Sequence, residues 1–271
     1  MTLLWIALAL FVLLLPFFVY LFLMMPRVSD RADMDFVTSD YAHRGLWNRS
    51  IPENSLAAFA MARDRGYGIE LDIRLSKDRR VMVFHDDSLL RMCGVEAAVE
   101  DLTYAQLKQL RLKGTSQTIP TLAEVLALVD GQVPLLIEIK GKGQNRALCQ
   151  RASHLLDRYY GAFAVQSFDP RTLAWFKGYR PRFARGQLLS RLSPKDEPRP
   201  LLRFAYFYLL TNLIARPDFI SVRGRFWKNP SVFLCHRLFH CKVFLWTVRN
   251  EKEYRACRAA GCFAIFERFL P

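Results

Sequence analysis

The stretch G-I-E-L-D-I-R-L at residues 68–75 decides the fold, because polar and aliphatic side chains alternate along it. Successive side chains of a strand point to opposite faces, so Glu70, Asp72 and Arg74 share one face and the other face is aliphatic. An aliphatic face suits packing beneath helices. The segment therefore predicts a strand covered by helices on one side, with two carboxylates on the other.

A second stretch, L-L-I-E-I-K at residues 135–140, repeats this arrangement. Its aliphatic residues share one face, while Glu138 and Lys140 share the other. Both polar residues come at the end of the predicted strand. In barrel enzymes, catalytic groups collect at the carboxyl ends of the strands. We therefore expect a third inward carboxylate, with a cation beside it, near the first two.

The order of segments predicts an α/β fold, a distorted TIM (β/α)8 barrel. Short apolar runs predict strands at residues 40–45, 68–75, 81–86, 134–140, 163–168, 185–189, 218–222, 243–248 and 264–267. Helical periodicity covers residues 55–65, 103–110, 122–128, 145–159, 170–177 and 251–260. This many strands favours a closed barrel over an open sheet, and the glycine-rich nucleotide motifs are absent. Only residues 76–80 separate two strands, which leaves a hairpin or a distortion without a helix.

The chain begins with an apolar segment that predicts one transmembrane helix. Residues 1–26 carry no charged side chain, and a helix over residues 3–25 would be ~35 Å long, enough to cross a hydrocarbon core of roughly 30 Å. The alternative is a cleaved signal peptide, which fits less well because the run is long and no small-residue cleavage site follows. We expect an anchor at 1–26, a linker at 27–39 and a barrel domain at 40–271.

Charge and cysteine content limit the possible partners and compartments. The net charge of +14 fits nucleic acid, an anionic small substrate or an anionic membrane surface. No zinc-finger spacing or RNA-binding aromatic signature is present, so no nucleic acid is expected. The six cysteines form no C-x-x-C pair, and Arg27 and Arg31 follow the anchor, so both features favour the cytoplasmic side. The oligomeric state is left open.

The three acidic residues indicate either a metal site or ion pairs. Buried unpaired carboxylates are costly, so Glu70 and Asp72 require a cation. That cation is either an arginine such as Arg74 or a divalent ion. With Glu138 added and no Cys–His cluster nearby, the donor set predicts one hard divalent cation, Mg²⁺ or Ca²⁺.

Two histidines lie at the ends of predicted strands, His43 in Y-A-H-R-G and His85 in F-H-D-D. A single histidine there is often structural. A pair beside three acids instead indicates acid–base catalysis, and the neighbouring Arg44 is a donor for anions. In P-E-N-S at residues 52–55, Asn54 or Ser55 is expected to cap a helix, and Glu53 is a loop acid.

Taken together, these motifs resemble the glycerophosphodiester phosphodiesterase family. The match comprises H-R-G at 43–45, P-E-N-S at 52–55, E-L-D at 70–72, F-H-D at 84–86, E-I-K at 138–140, S-F at 167–168 and W-T-V at 246–248. The resemblance implies a distorted barrel that hydrolyses glycerophosphodiesters or lysolipid-like diesters to glycerol 3-phosphate and an alcohol. It further implies that the substrate's glycerol hydroxyl attacks phosphorus first and that water then opens a cyclic phosphate.

The resemblance also assigns roles to individual residues. It implies Glu70, Asp72 and Glu138 as metal ligands, and His43 and His85 as the acid–base pair. It implies Arg44 and Lys140 as phosphate contacts and Trp246 as an apolar wall. The chain departs from the family pattern in two places. Arg249 stands between W-T-V and Asn250, and the last predicted strand ends in Glu267-Arg268 instead of Thr-Asp.

Two further interpretations follow from the sequence. A catalytically silent, membrane-bound barrel acting as a scaffold or lipid-binding module would be expected to have lost part of this set, and every member from His43 to Lys140 is present. A phospholipase of the phosphatidylinositol or sphingomyelin type is disfavoured by P-E-N-S and E-I-K.

The apolar segment 201–214 is too short to span a bilayer. It is either a buried helix of the barrel or an interfacial segment.

Overall fold

The computed structural model describes residues 2–27, 34, 36, 39–141 and 145–271, and it contains a closed barrel. The nine strands are β1 (Tyr41–His43), β2 (Gly68–Leu75), β3 (Val81–Val83), β4 (Leu135–Ile139), β5 (Phe163–Ser167), β6 (Ala184–Leu189), β7 (Phe219–Arg223), β8 (Lys242–Val248) and β9 (Phe263–Phe266). All but β3 pair in parallel, and the pairing of β1 with both β2 and β9 closes the ring. Each predicted strand is present, and the barrel prediction is confirmed.

The short connection at residues 76–80 is a hairpin. β3 pairs antiparallel with β2, through Ile73 with Val83 and Leu75 with Val81, and it takes no part in the ring. A parallel crossover needs a dozen or more residues, so a link this short forces the chain to turn straight back. The hairpin carries the following segment, with His85, over the end of β2.

Eleven helices are present among the described residues. They are α1 (Thr2–Met24), α2 (Leu56–Asp64), α3 (Leu90–Cys93), α4 (Tyr104–Gln109), α5 (Leu122–Val129), α6 (Arg146–Leu156), α7 (Pro170–Tyr179), α8 (Pro200–Phe207), α9 (Asn212–Ala215), α10 (Pro230–Leu238) and α11 (Glu251–Ala259). The six predicted helices outside the anchor correspond to α2, α4, α5, α6, α7 and α11. Periodicity missed α3 and α10. Asn229 caps α10 and Pro230 opens it, a helix-start signal independent of periodicity.

The barrel interior has an apolar lower layer near the amino ends of the strands. Its buried residues are Phe36, Tyr41, Leu136, Ala164, Ala184, Phe219, Phe244 and Ile265. The Phe36 ring lies 5.0 Å from that of Phe219, so the side chain of Phe36 packs into this end of the barrel. Gly186 makes room for Phe219, because a Cβ at Gly186 would lie 2.1 Å from the Phe219 ring.

Helix α1 is the one described helix long and apolar enough to cross a membrane, over Leu3–Met24, a length and composition that signal sequences share. Its last residues are packed against the barrel: Met24 is fully buried, and its carbonyl accepts a 2.8 Å hydrogen bond from Asn212 Nδ2. The end of the predicted anchor, close to residue 26, is therefore in contact with the barrel domain. Most of the expected linker 27–39 lies outside the described residues.

The segment 201–214 forms two helices that differ in burial. Its first part forms α8, which has no buried residue and exposes Leu201 and Phe204. Its second part forms α9, where Asn212 is buried and whose nearest helices are α1 and α7. The sequence pattern could not separate the two parts, because both are apolar.

Candidate active site

The carboxyl ends of the strands surround a cavity of about 80 Å³ that contains nearly all of the predicted site residues. Its lining includes His43, Arg44, Glu70, His85, Glu138, Lys140 and Trp246. Asp72 lies beside it, because one oxygen from each of Glu70, Asp72 and Glu138 is within 4.8 Å of the others. The structure thus brings all eight residues into one place, as strand register requires: His43 is level with Glu70, and Asp72 is level with Glu138.

The turn H-R-G places Arg44 over this cavity. Gly45 has a φ of +81°, and a Cβ there would lie 2.8 Å from the backbone of Ala58 in α2, so glycine is required. The turn directs the Arg44 backbone N–H to Glu70 Oε2 at 3.2 Å. The Arg44 guanidinium pairs with Glu53 Oε1 at 2.7 Å and lies 3.4 Å from Asp72 Oδ2.

The three carboxylates are buried and carry more negative charge than their neighbours neutralise. Lys140 Nζ lies 2.6 Å from Glu138 Oε1 and 3.1 Å from Asp72 Oδ1. Glu70 has no ion pair with any described side chain and accepts only from Arg44 N and, at 3.4 Å, from Gln166 Nε2. Arg74, the expected alternative partner, instead pairs with Asp87 at 2.6 Å.

This imbalance shifts the pKa values of the cluster. Burial, followed by repulsion from Asp72 and Glu138, raises the pKa of Glu70 well above its usual range. Burial also tends to raise the pKa of Asp72, but Lys140 and nearby cations hold it well below its usual range. A buried oxygen-donor set with one uncompensated carboxylate is the environment that a hard divalent cation satisfies. The residues therefore fit such an ion.

His43 is oriented by a residue from the far end of the chain. Its Nδ1 lies 2.7 Å from Glu267 Oε2, and Arg249 Nε donates to Glu267 Oε1 at 2.8 Å. Burial raises the pKa of Glu267, but His43 and Arg249 together lower it to about 2. An ionised carboxylate only accepts, so the proton of neutral His43 lies on Nδ1 and Nε2 is free to accept another. The two departures from the family pattern, Arg249 and Glu267, thus contact one another.

His85 has an equivalent partner next to it in the sequence. Its Nδ1 lies 2.6 Å from Asp86 Oδ1, and Arg91 Nε donates to Asp86 Oδ2 at 2.5 Å. Hydrogen bonds from Arg91 and His85 outweigh the effect of burial and lower the pKa of Asp86 to about 2. Burial lowers the pKa of both histidines, so each ring tends to be neutral.

Sequence reasoning missed several residues that support this site. Ser55 is the helix cap, whereas Asn54 donates from Nδ2 to Asp72 Oδ2 at 2.9 Å. Glu53, expected to be a loop acid, bridges Arg44 and Arg91. The motif P-E-N-S did indicate such roles, because two polar residues, Glu53 and Asn54, precede the cap residue Ser55. Glu267 was noted only as a departure from the family pattern, and no local pattern in the sequence indicated its contact with His43.

Comparison with known proteins agrees with this geometry. The model of the glycerophosphoryl diester phosphodiesterase family matches residues 43–268. The chain belongs to this family. YhdW of Bacillus subtilis (strain 168) is 34% identical over 232 residues, which are 81% of this chain and 90% of YhdW. The lysophospholipase D GDPD1 of Rattus norvegicus is 32% identical over 154 residues, 52% of this chain and about half (48%) of that protein.

Solved structures of the family share the fold. The glycerophosphodiester phosphodiesterase of Thermotoga maritima has a TM-score of 0.66 and 26% identity, covering 84% of this chain and 92% of that chain. A phosphodiesterase of Oleispira antarctica, solved with the product sn-glycerol-3-phosphate, has a TM-score of 0.72 and 24% identity, covering 87% and 94%. The chain is therefore a phosphodiesterase of a family that hydrolyses glycerophosphodiesters and depends on divalent metal, and its acidic cluster could bind such an ion.

Proposed function

We propose that this glycerophosphodiester phosphodiesterase converts a glycerophosphodiester or a lysophospholipid-like diester, with water, to glycerol 3-phosphate and an alcohol. One observation carries the proposal. Two histidines, each backed by a carboxylate at Nδ1, line the same cavity as an undercompensated set of three buried carboxylates. Phosphodiester cleavage needs an acid and a base at phosphorus together with positive charge near the developing negative charge.

The histidines perform the proton transfers in this proposal. In the first step the Nε2 of one histidine takes the proton from the substrate's glycerol hydroxyl as that oxygen bonds to phosphorus. The other histidine, protonated, gives its proton to the departing alcohol oxygen. Water then opens the cyclic phosphate with the two roles reversed, so each ring returns to its starting state. The lowered pKa values support the role of base, because a neutral ring can accept a proton near pH 7. The ring that acts as the acid must first bind a proton against its lowered pKa.

Charged and aromatic neighbours hold the substrate. Arg44 and Lys140 lie at the cavity and contact phosphate oxygens in the proposed complex. Trp246 forms an apolar wall, fixed by a 3.1 Å hydrogen bond from Nε1 to the Ser221 carbonyl. Glu70, Asp72 and Glu138 would hold one Mg²⁺ or Ca²⁺. When bound, the cation would supply positive charge that stabilises the phosphate oxygens as negative charge builds up on them.

We also propose that α1 is retained as a single-pass anchor and, from Arg27 and Arg31 on its C-terminal side, that the domain is cytoplasmic. The buried position of Met24 and the two hydrogen bonds from Arg216 to the carbonyls of Phe22 and Met25 support retention, because cleavage near residue 26 would remove them. Mass spectrometry of the purified membrane-bound protein should find residues 1–26 in place. A chain starting near residue 27 would contradict the anchor.

The test of function uses the full-length protein and a panel of glycerophosphodiesters and lysolipids. Removal of metal by a chelator should abolish release of glycerol 3-phosphate, and added Mg²⁺ or Ca²⁺ should restore it. Asp72→Asn should remove both activity and metal binding, measured by calorimetry. Asp78→Asn is the matched control, because this acid lies outside the site, bonded to Ser76 in the hairpin turn. If the metal-loaded parent released no product from any substrate, the silent-scaffold interpretation would replace this proposal.

A further inference from the structure

The direction of α1 relative to the barrel can be read from two contacts with α10. Ser231 Oγ donates to the Tyr208 carbonyl at 2.7 Å, so at the 2.7 Å contact of Tyr20 with Ser231 the tyrosine is the donor. One turn further along both helices, Cys235 Sγ lies 3.5 Å from the Met24 carbonyl. Both steps are four residues, Tyr20 to Met24 and Ser231 to Cys235. The two helices therefore run side by side in the same direction.

That direction places α1 with respect to the active site. Helix α10 connects β7 to β8, and a helix between parallel strands runs from their carboxyl ends back to their amino ends. The residue after α1 agrees: Arg27 N donates to the Pro217 carbonyl at 2.8 Å, just before β7 begins. Tyr20 is thus near the catalytic end of the barrel. The preceding part of α1 projects beyond that end.

The projecting part has the dimensions and surface of a membrane span. Residues 3–19 are all exposed. At ~1.5 Å per residue they extend ~26 Å past the barrel, most of a hydrocarbon core of about 30 Å. The bilayer then lies on the same side of the barrel as the cavity that contains His43 and His85.

Helix α8 lies at the level where α1 leaves the barrel. The Phe207 carbonyl, at the end of α8, accepts from Asn229 Nδ2 at 2.9 Å, and the next carbonyl accepts from the same Ser231 that Tyr20 contacts. No residue of α8 is buried, and Leu201 and Phe204 are 81% and 55% exposed. An apolar helix face beside a membrane span is the pattern of an interfacial helix.

Positive charge and a groove connect this helix with the reaction cavity. Arg191, Lys195 and Arg223 are exposed and have no carboxylate partner within the described parts of the chain. They line a groove of about 820 Å³ that runs from Lys140 and Trp246 to Tyr206 of α8. Exposed basic residues at this level suit anionic headgroups.

We propose that the catalytic face is the membrane-facing surface of this protein. Helix α1 brings the barrel mouth to the bilayer, α8 inserts Leu201 and Phe204 among anionic lipids, and the groove receives diester headgroups directly from that bilayer. The substrate is then a membrane-borne lysophospholipid in preference to a water-soluble glycerophosphodiester. The preference rests on the proposed function, whereas the orientation does not.

The orientation is tested by quenching of tryptophan fluorescence in the full-length protein, reconstituted in vesicles of phosphatidylcholine and brominated phosphatidylglycerol. The Phe204→Trp variant adds a reporter on α8. The matched Leu238→Trp variant adds one at the end of α10, where an equally exposed side chain lies at the opposite end of the barrel. Relative to the parent, the added fluorescence should be quenched at position 204 and unquenched at 238. Equal quenching, or quenching at 238 alone, would overturn the orientation whether or not the protein is active.

The substrate preference is tested with the charge-introducing variants Leu201→Glu/Phe204→Glu and Leu238→Glu. In phosphatidylglycerol vesicles the α8 variant should lower kcat/KM for a lysophospholipid at least about tenfold, the scale of losing the insertion of one large apolar side chain. It should leave hydrolysis of glycerophosphocholine unchanged, and Leu238→Glu should affect neither. An equal change on both substrates, or none on either, would refute uptake from the bilayer. A parent that hydrolyses neither substrate refutes the proposed function itself.

Discussion

The two layers of the barrel interior are built by the same strands yet have opposite character. At the amino ends the inward residues are apolar, such as Tyr41, Leu136 and Phe244. Two residues further along the same strands, the inward positions hold His43, Glu138 and Trp246. Since the side-chain period of a strand is two, each pair is a consecutive inward position. We call these the lower layer and the upper layer.

The difference between the layers separates stability from chemistry. The lower layer is a packed aromatic cluster, in which the ring of Phe244 lies 5.3 Å from Phe219 and 5.7 Å from Tyr41. The upper layer holds like charges together, so the pKa of Glu138 is raised by burial, although Lys140 opposes the shift. Groups placed at such an electrostatic cost are typical of functional sites. Substitutions in the two layers should therefore act on different observables.

The largest effect is expected for the histidines of the upper layer. His43→Ala and His85→Ala should each lower kcat by ~10²–10⁴-fold, the range for a lost general acid or base, with no major loss of stability. The double variant should fall little further than either single one, because the two rings serve one reaction. His154→Ala is the control, since this histidine is exposed on α6. Near-parental turnover in either His43→Ala or His85→Ala would contradict the paired-histidine mechanism.

Substitutions in the lower layer should lower the stability of the protein. Phe244→Ala should reduce the free energy of unfolding by ~3–5 kcal/mol, because it opens a cavity in the fully buried cluster. Urea unfolding monitored by circular dichroism measures this loss. The exposed Phe233→Ala on α10 should change it by no more than about 0.5 kcal/mol. If Phe244→Ala reduced the free energy of unfolding no more than Phe233→Ala does, the lower layer would not be a tightly packed cluster.

A smaller effect is expected at the residue that orients His43. Glu267→Gln should lower kcat by roughly 10–100-fold, the usual scale for losing a group that orients a functional side chain. Because the Glu267 carboxylate raises the pKa of His43 against the effect of burial, its removal should lower that pKa further. The acid limb of the pH profile of kcat/KM should therefore move to lower pH. Arg249→Gln should lower kcat less and should not move the acid limb to lower pH, because it removes a cation from Glu267 and leaves the carboxylate beside His43 in place. A drop in rate with an unmoved acid limb would mean that Glu267 acts only through folding.

The smallest effect, and one of opposite sign, is expected at Glu70. In the metal-free protein, Glu70→Gln should raise Tm above that of the parent at pH 8, because it removes a buried charge repelled by Asp72. The raised folded-state pKa of Glu70 means that the folded parent binds more protons than the unfolded chain above pH ~4.5. Stability of the parent should thus rise as pH falls through that folded pKa, and the variant should show less of this gain. Thermal scans across pH measure it, and a lower Tm in the variant at pH 8 would contradict the charge imbalance. The variant should also lose the increase in Tm caused by Mg²⁺ or Ca²⁺.

The strand positions and most of the site could be predicted because their signals are local. Alternation within residues 68–75 and 135–140 decides which side chains face inward, and the register of a parallel barrel then brings Asp72 level with Glu138. The hairpin at 76–80 was one of two predicted alternatives, because a connection of five residues is too short for a parallel crossover that contains a helix. Helix α10 was missed because its apolar residues lack a regular period, although Asn229 and Pro230 signal its start.

What the sequence by itself determined is the barrel, its inward charges and the cluster of motifs that resembles the family. Only the tertiary structure decided which distant residues meet. Glu267 contacts His43 across 224 positions of sequence, and Arg249 joins them because closure of the barrel sets β9 beside β1 and β8. The same holds for α1, whose composition predicts a membrane span but whose direction follows from Tyr20 and Met24 packing along α10. Local patterns specify which face a side chain occupies, whereas ring closure and helix packing bring together residues that are far apart in the chain.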